Sequence, residues 1–177
     1  MMHGSKHKTH MVDEPKFSDR NQRIYDFLHQ HPVGVLSSVG PNGDPHGVVI
    51  YFMIDKAFNI SFLTRDGTRK YDNLKHHPHI MLTVFEPKSQ ATVQVTGRAT
   101  ELTKSYEINS IAGGMLSVSQ KVSGSELPPI TKLEEGNFVA FKIEPVQIRM
   151  AVYSRPDPGD YDSIFESVES FDFEKYD

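Results

Sequence analysis

The 177-residue chain contains no cysteine. That excludes disulfides, zinc–thiolate centres and cysteine nucleophiles together, and it suits a reducing compartment. Long apolar runs are missing as well. The longest, Val48 to Ile54, falls far short of the ~20 residues a membrane-spanning helix needs. The N-terminal stretch is polar and rich in His and Lys, without the apolar segment of a secretory signal, so a cytoplasmic location is expected. Positive charge is not in excess: 19 Lys and Arg stand against 23 Asp and Glu, a net charge of −4, with no long basic run. Nothing in this balance calls for nucleic acid or an anionic membrane as partner. No G-x-S-x-G context surrounds Ser117, Ser119 or Ser123, so a serine hydrolase has no support.

What is present is ordinary globular composition, 37% hydrophobic and 24% charged, in a chain of one-domain length. Residues 1–17 have no period and read as a disordered arm; His3, His7 and His10 are either solvated or a chelating trio. Residues 18–153 carry the periodic patterns of a folded domain. In residues 154–177 eight acidic side chains face only Arg155 and Lys175. Phe and Tyr residues interleave with them, so this tail is expected either to pack on the domain or a second subunit, or to remain disordered.

Within the domain, Ser18 or Asp19 can cap a helix whose apolar face is Ile24, Phe27, Leu28 and His31, ended by Pro32. The period then changes to two. Val33, Val35, Ser37 and Val39 alternate, Gly40-Pro41-Asn42-Gly43-Asp44 makes a turn, and Val48 to Ile54 returns as a strand apolar on both faces, expected to be central. Phe58, Ile60, Phe62 and Thr64 mark a third strand, and a short helix follows from Thr68 to His76. Further strands follow at Ile80–Val84, at Val93 and Val95 (with Thr92, Gln94 and Thr96 on the opposite face), at Phe138–Ile143 and at Val146–Val152. A second helix is expected from about Thr103 to a stop at Gly113-Gly114, then a loop over 117–131 with one more helical turn at most. Many short strands with tight turns and few helices predict a mainly β architecture, an antiparallel barrel or sandwich with peripheral helices.

The segment F-L-T-R-D-G-T-R-K-Y carries the most chemistry. A strand ends at Thr64, a glycine turn follows, and a helix opens at Thr68. First-turn amides lack intrahelical partners and sit at the positive end of the helix dipole, where an anion is favoured. Thr68 offers a hydroxyl, Arg69 a planar fork and Lys70 a point charge. Two cations here oppose the dipole, a cost of ~0.3–1 kcal/mol each that a bound anion would reverse. By itself the segment fits equally well a Thr-capped helix with two surface cations.

The order and spacing of V-G-V-L-S-S-V-G-P-N-G-D-P-H-G-V-V-I, N-I-S-F-L-T, T-R-K, N-L-K-H-H-P-H-I-M-L-T-V and V-Q-V-T-G-R-A-T-E-L resemble the FMN-binding split β-barrel family. That family comprises pyridoxamine 5′-phosphate oxidases and related general stress proteins. The resemblance spans Arg20 to Tyr153 and implies an antiparallel Greek-key split barrel and a homodimer with two FMN sites in the subunit interface. On this analogy Thr68, Arg69 and Lys70 hold the phosphate. Val48, Val49 and Ile50 with Phe62, Leu63 and Thr64 run along the flavin ring and ribityl chain, largely through backbone groups. Thr92 reaches a site from the other subunit. The activity implied is that of a flavin-dependent oxidoreductase acting on a small molecule. The alternative is a non-catalytic stress protein on the same barrel holding flavin, the deazaflavin F420 or haem. Firm FMN binders of the family often carry a basic residue where this chain has Val48. Pyridoxamine-type oxidases carry one where Phe52-Met53 stand and an Arg/His-rich motif in place of the acidic C-terminal tail. Weaker FMN binding, F420 or a vacant site are the alternatives these departures leave open. No catalytic side chain is implied. His46, beside the flavin strand, is a candidate proton donor or an ordinary strand histidine, and His76, His77 and His79 are either metal-ligand candidates or surface punctuation.

Overall fold

A computed structural model describes residues 18–125, 127–132, 136–153 and 168–172. Helix α1 (Asp19–Gln30) opens the domain, and Ser18 caps it by accepting a hydrogen bond from the Asn21 amide. Its buried stripe is Ile24, Phe27 and Leu28, and the chain leaves it at His31, before Pro32. Strands β1 (Val33–Val39) and β2 (Pro45–Tyr51) form the expected hairpin. After Phe52 come the two-residue β3 (Met53–Ile54), β4 (Ile60–Arg65), helix α2 (Arg69–His76), β5 (His79–Glu86) and β6 (Ala91–Leu102). Helix α3 (Ser105–Ser123), a 3-10 turn (Pro129–Lys132), β7 (Phe138–Tyr153) and β8 (Val168–Asp172) complete the described elements.

Every strand pairing is antiparallel, and the sheet runs β2-β1-β5-β6-β7-β4-β3. The two ends of this path are joined through one residue, Phe52, which is buried and donates its amide to the Pro32 carbonyl at 3.0 Å. The sheet therefore curls back on itself, while no backbone ladder joins β2 to β4 among the described residues. The result is a mainly β split barrel with peripheral helices. Inward residues of alternate strand positions, among them Leu36, Ile60, Phe62, Leu82, Val84, Val93, Val95, Phe141 and Ile148, fill it. Phe62 and Phe141 stack with ring centres 5.7 Å apart, and burial of each contributes ~1.5–3 kcal/mol. No helix among the described residues is long and apolar enough to cross a membrane.

Several local expectations are corrected. The two last strands of the domain are one continuous β7: its first half pairs with β4 and its last part with β8, while β6 pairs along nearly all of it. Pro145 is accommodated where the β6–β7 register shifts beside Gly97. At Gly97 a Cβ would stand 2.6 Å from the Glu144 carbonyl oxygen, so only glycine fits. Helix α3 does not stop at Gly113-Gly114. It continues to Gly124, whose left-handed φ of 67° makes the true C-cap. Gly114 packs directly against Met53, whose side chain an added Cβ would displace. The apolar second strand is not central. Its ladder partner is β1, and its breadth of apolarity serves the barrel core through Ile50 and an outer surface through Val49. Phe58 lies outside β4, in a turn with φ 63°, where it is buried edge-on against Tyr25. Of the acidic tail, residues 168–172 pair with β7; the remainder of the tail and the N-terminal arm lie outside the described residues.

Candidate functional site

The strand–turn–helix segment adopts the predicted arrangement. Thr68 is the N-cap of α2. Its hydroxyl lies 2.8 Å from the Arg65 carbonyl, 3.3 Å from the Tyr71 amide and 3.1 Å from the Thr64 hydroxyl. A hydroxyl has one proton, and the Arg65 carbonyl takes it while Tyr71 donates in return. Thr68 therefore shapes the helix start rather than offering a free donor. The amides of Arg69 and Lys70 are the first-turn donors without an intrahelical acceptor.

The two cations diverge. Arg69 is exposed, whereas Lys70 turns inward and keeps 7% of its surface accessible. Burial pushes the Lys70 ammonium down to about 8, because a charge removed from water is disfavoured. Lys70 has no carboxylate partner among the described residues. It lines a pocket of about 450 Å³ whose other walls are Val48, Val49, Ile50 and Tyr51 from β2, Leu63 from β4, Met115 from α3, and Pro128 and Ile130. The pocket lies over the split between β2 and β4, bridged by α3. A single buried cation among apolar and aromatic walls suits a flat, largely apolar ligand with an anionic end.

Of the residues expected along a flavin nucleotide, Val48, Val49, Ile50, Leu63 and Lys70 meet at this pocket. Phe62 and Thr64 alternate with Leu63, so their side chains point into the barrel. Thr92 is not part of this pocket within one chain. It sits on the outer face of β6, in register with Phe85 and Ala151. His46 does not line the pocket. It pairs with Ser38, and its Nδ1 is buried without a hydrogen-bond partner among the described residues. His76 Nδ1 lies 2.8 Å from the Asp72 carbonyl at the end of α2.

Sequence reasoning missed the far wall. Pro128 and Ile130 come from a stretch read only as loop. Their position depends on Arg65 and Asp66, which precede the helix. Arg65 donates through Nε to the Ile130 carbonyl at 3.4 Å, and its guanidinium stacks 4.3 Å from the Phe138 ring centre. Asp66 accepts the Asn137 amide at 2.8 Å and its side-chain amide at 3.1 Å, and these bonds hold its carboxyl below the usual range. The sequence signal was a charged pair, R-D, ahead of the T-R-K start; its partners lie 65 and 71 residues away. Behind the helix, buried Asn73 donates to Ser38 at 3.1 Å and so fixes α2 against β1.

Fold and site together define a split-barrel protein with an anion-compatible pocket at a helix N-terminus. A family model for pyridoxamine 5′-phosphate oxidase matches residues 21–151, and the chain belongs to that family. Solved structures share the fold at low identity. One is a pyridoxamine 5′-phosphate oxidase-related, FMN-binding protein from Nostoc punctiforme, at 17% identity and TM-score 0.54, covering 89% of this chain and 99% of that one. An F420 reductase matches at 21% identity and TM-score 0.56, covering 70% of this chain and 94% of that one. A heme-binding protein from Mycobacterium smegmatis matches at 14% identity and TM-score 0.58, covering 89% of this chain and 59% of that one. No curated protein sequence matches the chain significantly.

Proposed function

We propose that this protein binds FMN in the pocket between β2, β4 and α2 and works as a flavin-dependent oxidoreductase on a small molecule. The observation that carries this reading is the convergence of Val48, Val49, Ile50, Leu63 and Lys70 on one pocket beside the α2 N-terminus. The residues fit the group. Val49 and Leu63 side chains offer apolar contact to a ring system, the β2 backbone at Val48 to Ile50 offers its polar groups, and Lys70 with the Arg69 and Lys70 amides suits a phosphate. FMN would supply the redox chemistry, while the chain binds, orients and shields it. Phe52 and Met53 stand where pyridoxamine-type oxidases carry a basic residue, which argues for a different substrate. Val48 stands where firm FMN binders often carry one, which argues for weaker FMN affinity or a different flavin.

The working unit in this reading is a homodimer. The outer face of β2, β1 and β5 exposes Val49 at 61% and Phe85 at 58%, together with Val35 and Met81. A contiguous apolar sheet face of this kind is suited to a protein partner. Thr92 lies beside Phe85 on the same face, where it can reach a site on a second copy.

The test is the absorbance spectrum of the purified protein before and after FMN is added. A flavin band that persists through gel filtration is expected, with bleaching by a reduced nicotinamide nucleotide and recovery with an acceptor. Failure to bind FMN at micromolar concentration overturns the reading. A second reading, a carrier of flavin, F420 or haem without turnover, is favoured by one observation: Lys70 is the pocket's sole charged wall residue among the described ones. Bound ligand inert to every donor selects it.

A further inference from the structure

A second cavity of about 470 Å³ lies on the other side of α3, between the end of α1, β3 and β4. It is separate from the candidate flavin pocket. Adjacent residues of α3 divide the two, Gly114 facing this cavity and Met115 the other. The close approach of Gly114 to Met53 seats the helix there, so the α3 and β3 walls of the cavity are tightly packed against each other. Its size is within the range of small-molecule sites.

The walls are apolar: Leu28, Phe52, Met53, Ile54 and Val118. Two charged groups stand at it, and they differ in commitment. The Asp55 carboxylate is engaged within its own turn, accepting the Ala57 amide at 2.8 Å and the Asn59 amide and side-chain amide at 2.9 Å. The Lys121 ammonium donates once, to the His29 carbonyl at 3.1 Å. An ammonium has three donors, so two remain for a ligand. A carboxylate carried on an apolar chain complements this arrangement: its body meets the aliphatic walls and its head the free Lys121 donors.

We propose that this cavity is a binding site for an amphipathic monocarboxylate, with Lys121 holding the head group and Ser117 marking the α3 wall beside it. The inference is independent of flavin binding.

Isothermal titration of the full-length protein with decanoate and with decanol tests it, alongside Lys121→Glu and Ser117→Phe. Circular dichroism checks the fold of each variant. Saturable decanoate binding with Kd below about 1 mM is expected. Lys121→Glu should weaken decanoate about tenfold, the scale of one charge-assisted hydrogen bond, while leaving decanol unchanged. Ser117→Phe, which fills the cavity, should abolish binding of both. Absence of saturable decanoate binding to the native protein overturns the proposal. So does unchanged affinity in folded Ser117→Phe, which places the ligand elsewhere. Equal binding of decanoate and decanol with no effect of Lys121→Glu would reveal a non-selective apolar cavity and overturns it too. Should Ser117→Phe fail to fold, Lys121→Glu on the exposed end of α3 still decides.

Discussion

The Lys70 ammonium lies 5.7 Å from the centre of the Phe62 ring. That contact is within cation–π range, but it replaces only part of the hydration lost on burial. The ammonium of Lys70 is held at about 8 against an ordinary 10.5. Below pH 8 it is charged in folded and unfolded chains alike, and the folded state bears the full cost of burial. Between pH 8 and 10.5 the unfolded chain binds more protons, so stability rises with pH across that window. The ligand-free protein should gain up to about 3 kcal/mol between these limits. Urea titrations at several pH values measure this, and in Lys70→Met the gain should vanish.

Arg69 is exposed at the first position of α2, where a carboxylate suits the helix dipole better than a guanidinium. Arg69→Glu should therefore fold and melt slightly higher than the native protein in the absence of ligand. A carboxylate at the helix start would repel a phosphate. FMN affinity should fall at least about tenfold while riboflavin affinity stays the same. Equal loss for both flavins would place the phosphate away from α2.

Adjacent glycines of α3 should respond oppositely to alanine. A Cβ at Gly113 meets nothing within 4 Å, so Gly113→Ala should stabilise by ~0.5–1 kcal/mol through helix propensity. At Gly114 the added methyl meets Met53, and repacking should cost ~1–3 kcal/mol. Thermal melts of the two variants distinguish them; two changes of the same sign would refute the packing account of α3.

Asn73→Leu should destabilise by ~1–3 kcal/mol, because the Ser38 hydroxyl would lose its buried partner. Replacing both residues, in Asn73→Leu with Ser38→Ala, should restore part of that loss. A double-mutant cycle without coupling would show that the bond contributes nothing to seating α2.

If the outer face of β2, β1 and β5 is the dimer interface, Phe85→Asp should shift the protein towards monomer in sedimentation velocity. FMN binding should weaken in the same variant, because Thr92 of a second copy would no longer approach. A native protein that sediments as a monomer would remove this part of the proposal.

The hydrophobic periods alone determined α1, the β1–β2 hairpin, β4, β5 and the inward face of β6, because each encodes burial within a few neighbouring residues. Turn chemistry and the Thr68 cap likewise marked the start of α2, since capping is a contact between residues three apart. Helix α3 showed the limit of local reading. Gly113-Gly114 has the local signature of a stop, and only the approach of Met53 explains why the helix passes through it. The continuity of β7 across Pro145 is likewise decided by its long pairing with β6 and the accommodating Gly97. The same division holds for the site. The T-R-K trio was legible as three polar residues at a helix start, but their separate roles were not. Whether a lysine faces water or a pocket depends on which strands pass beneath it. That is why Thr68 became a cap, Arg69 stayed in solvent and Lys70 turned into the cavity walled by β2, β4 and α3.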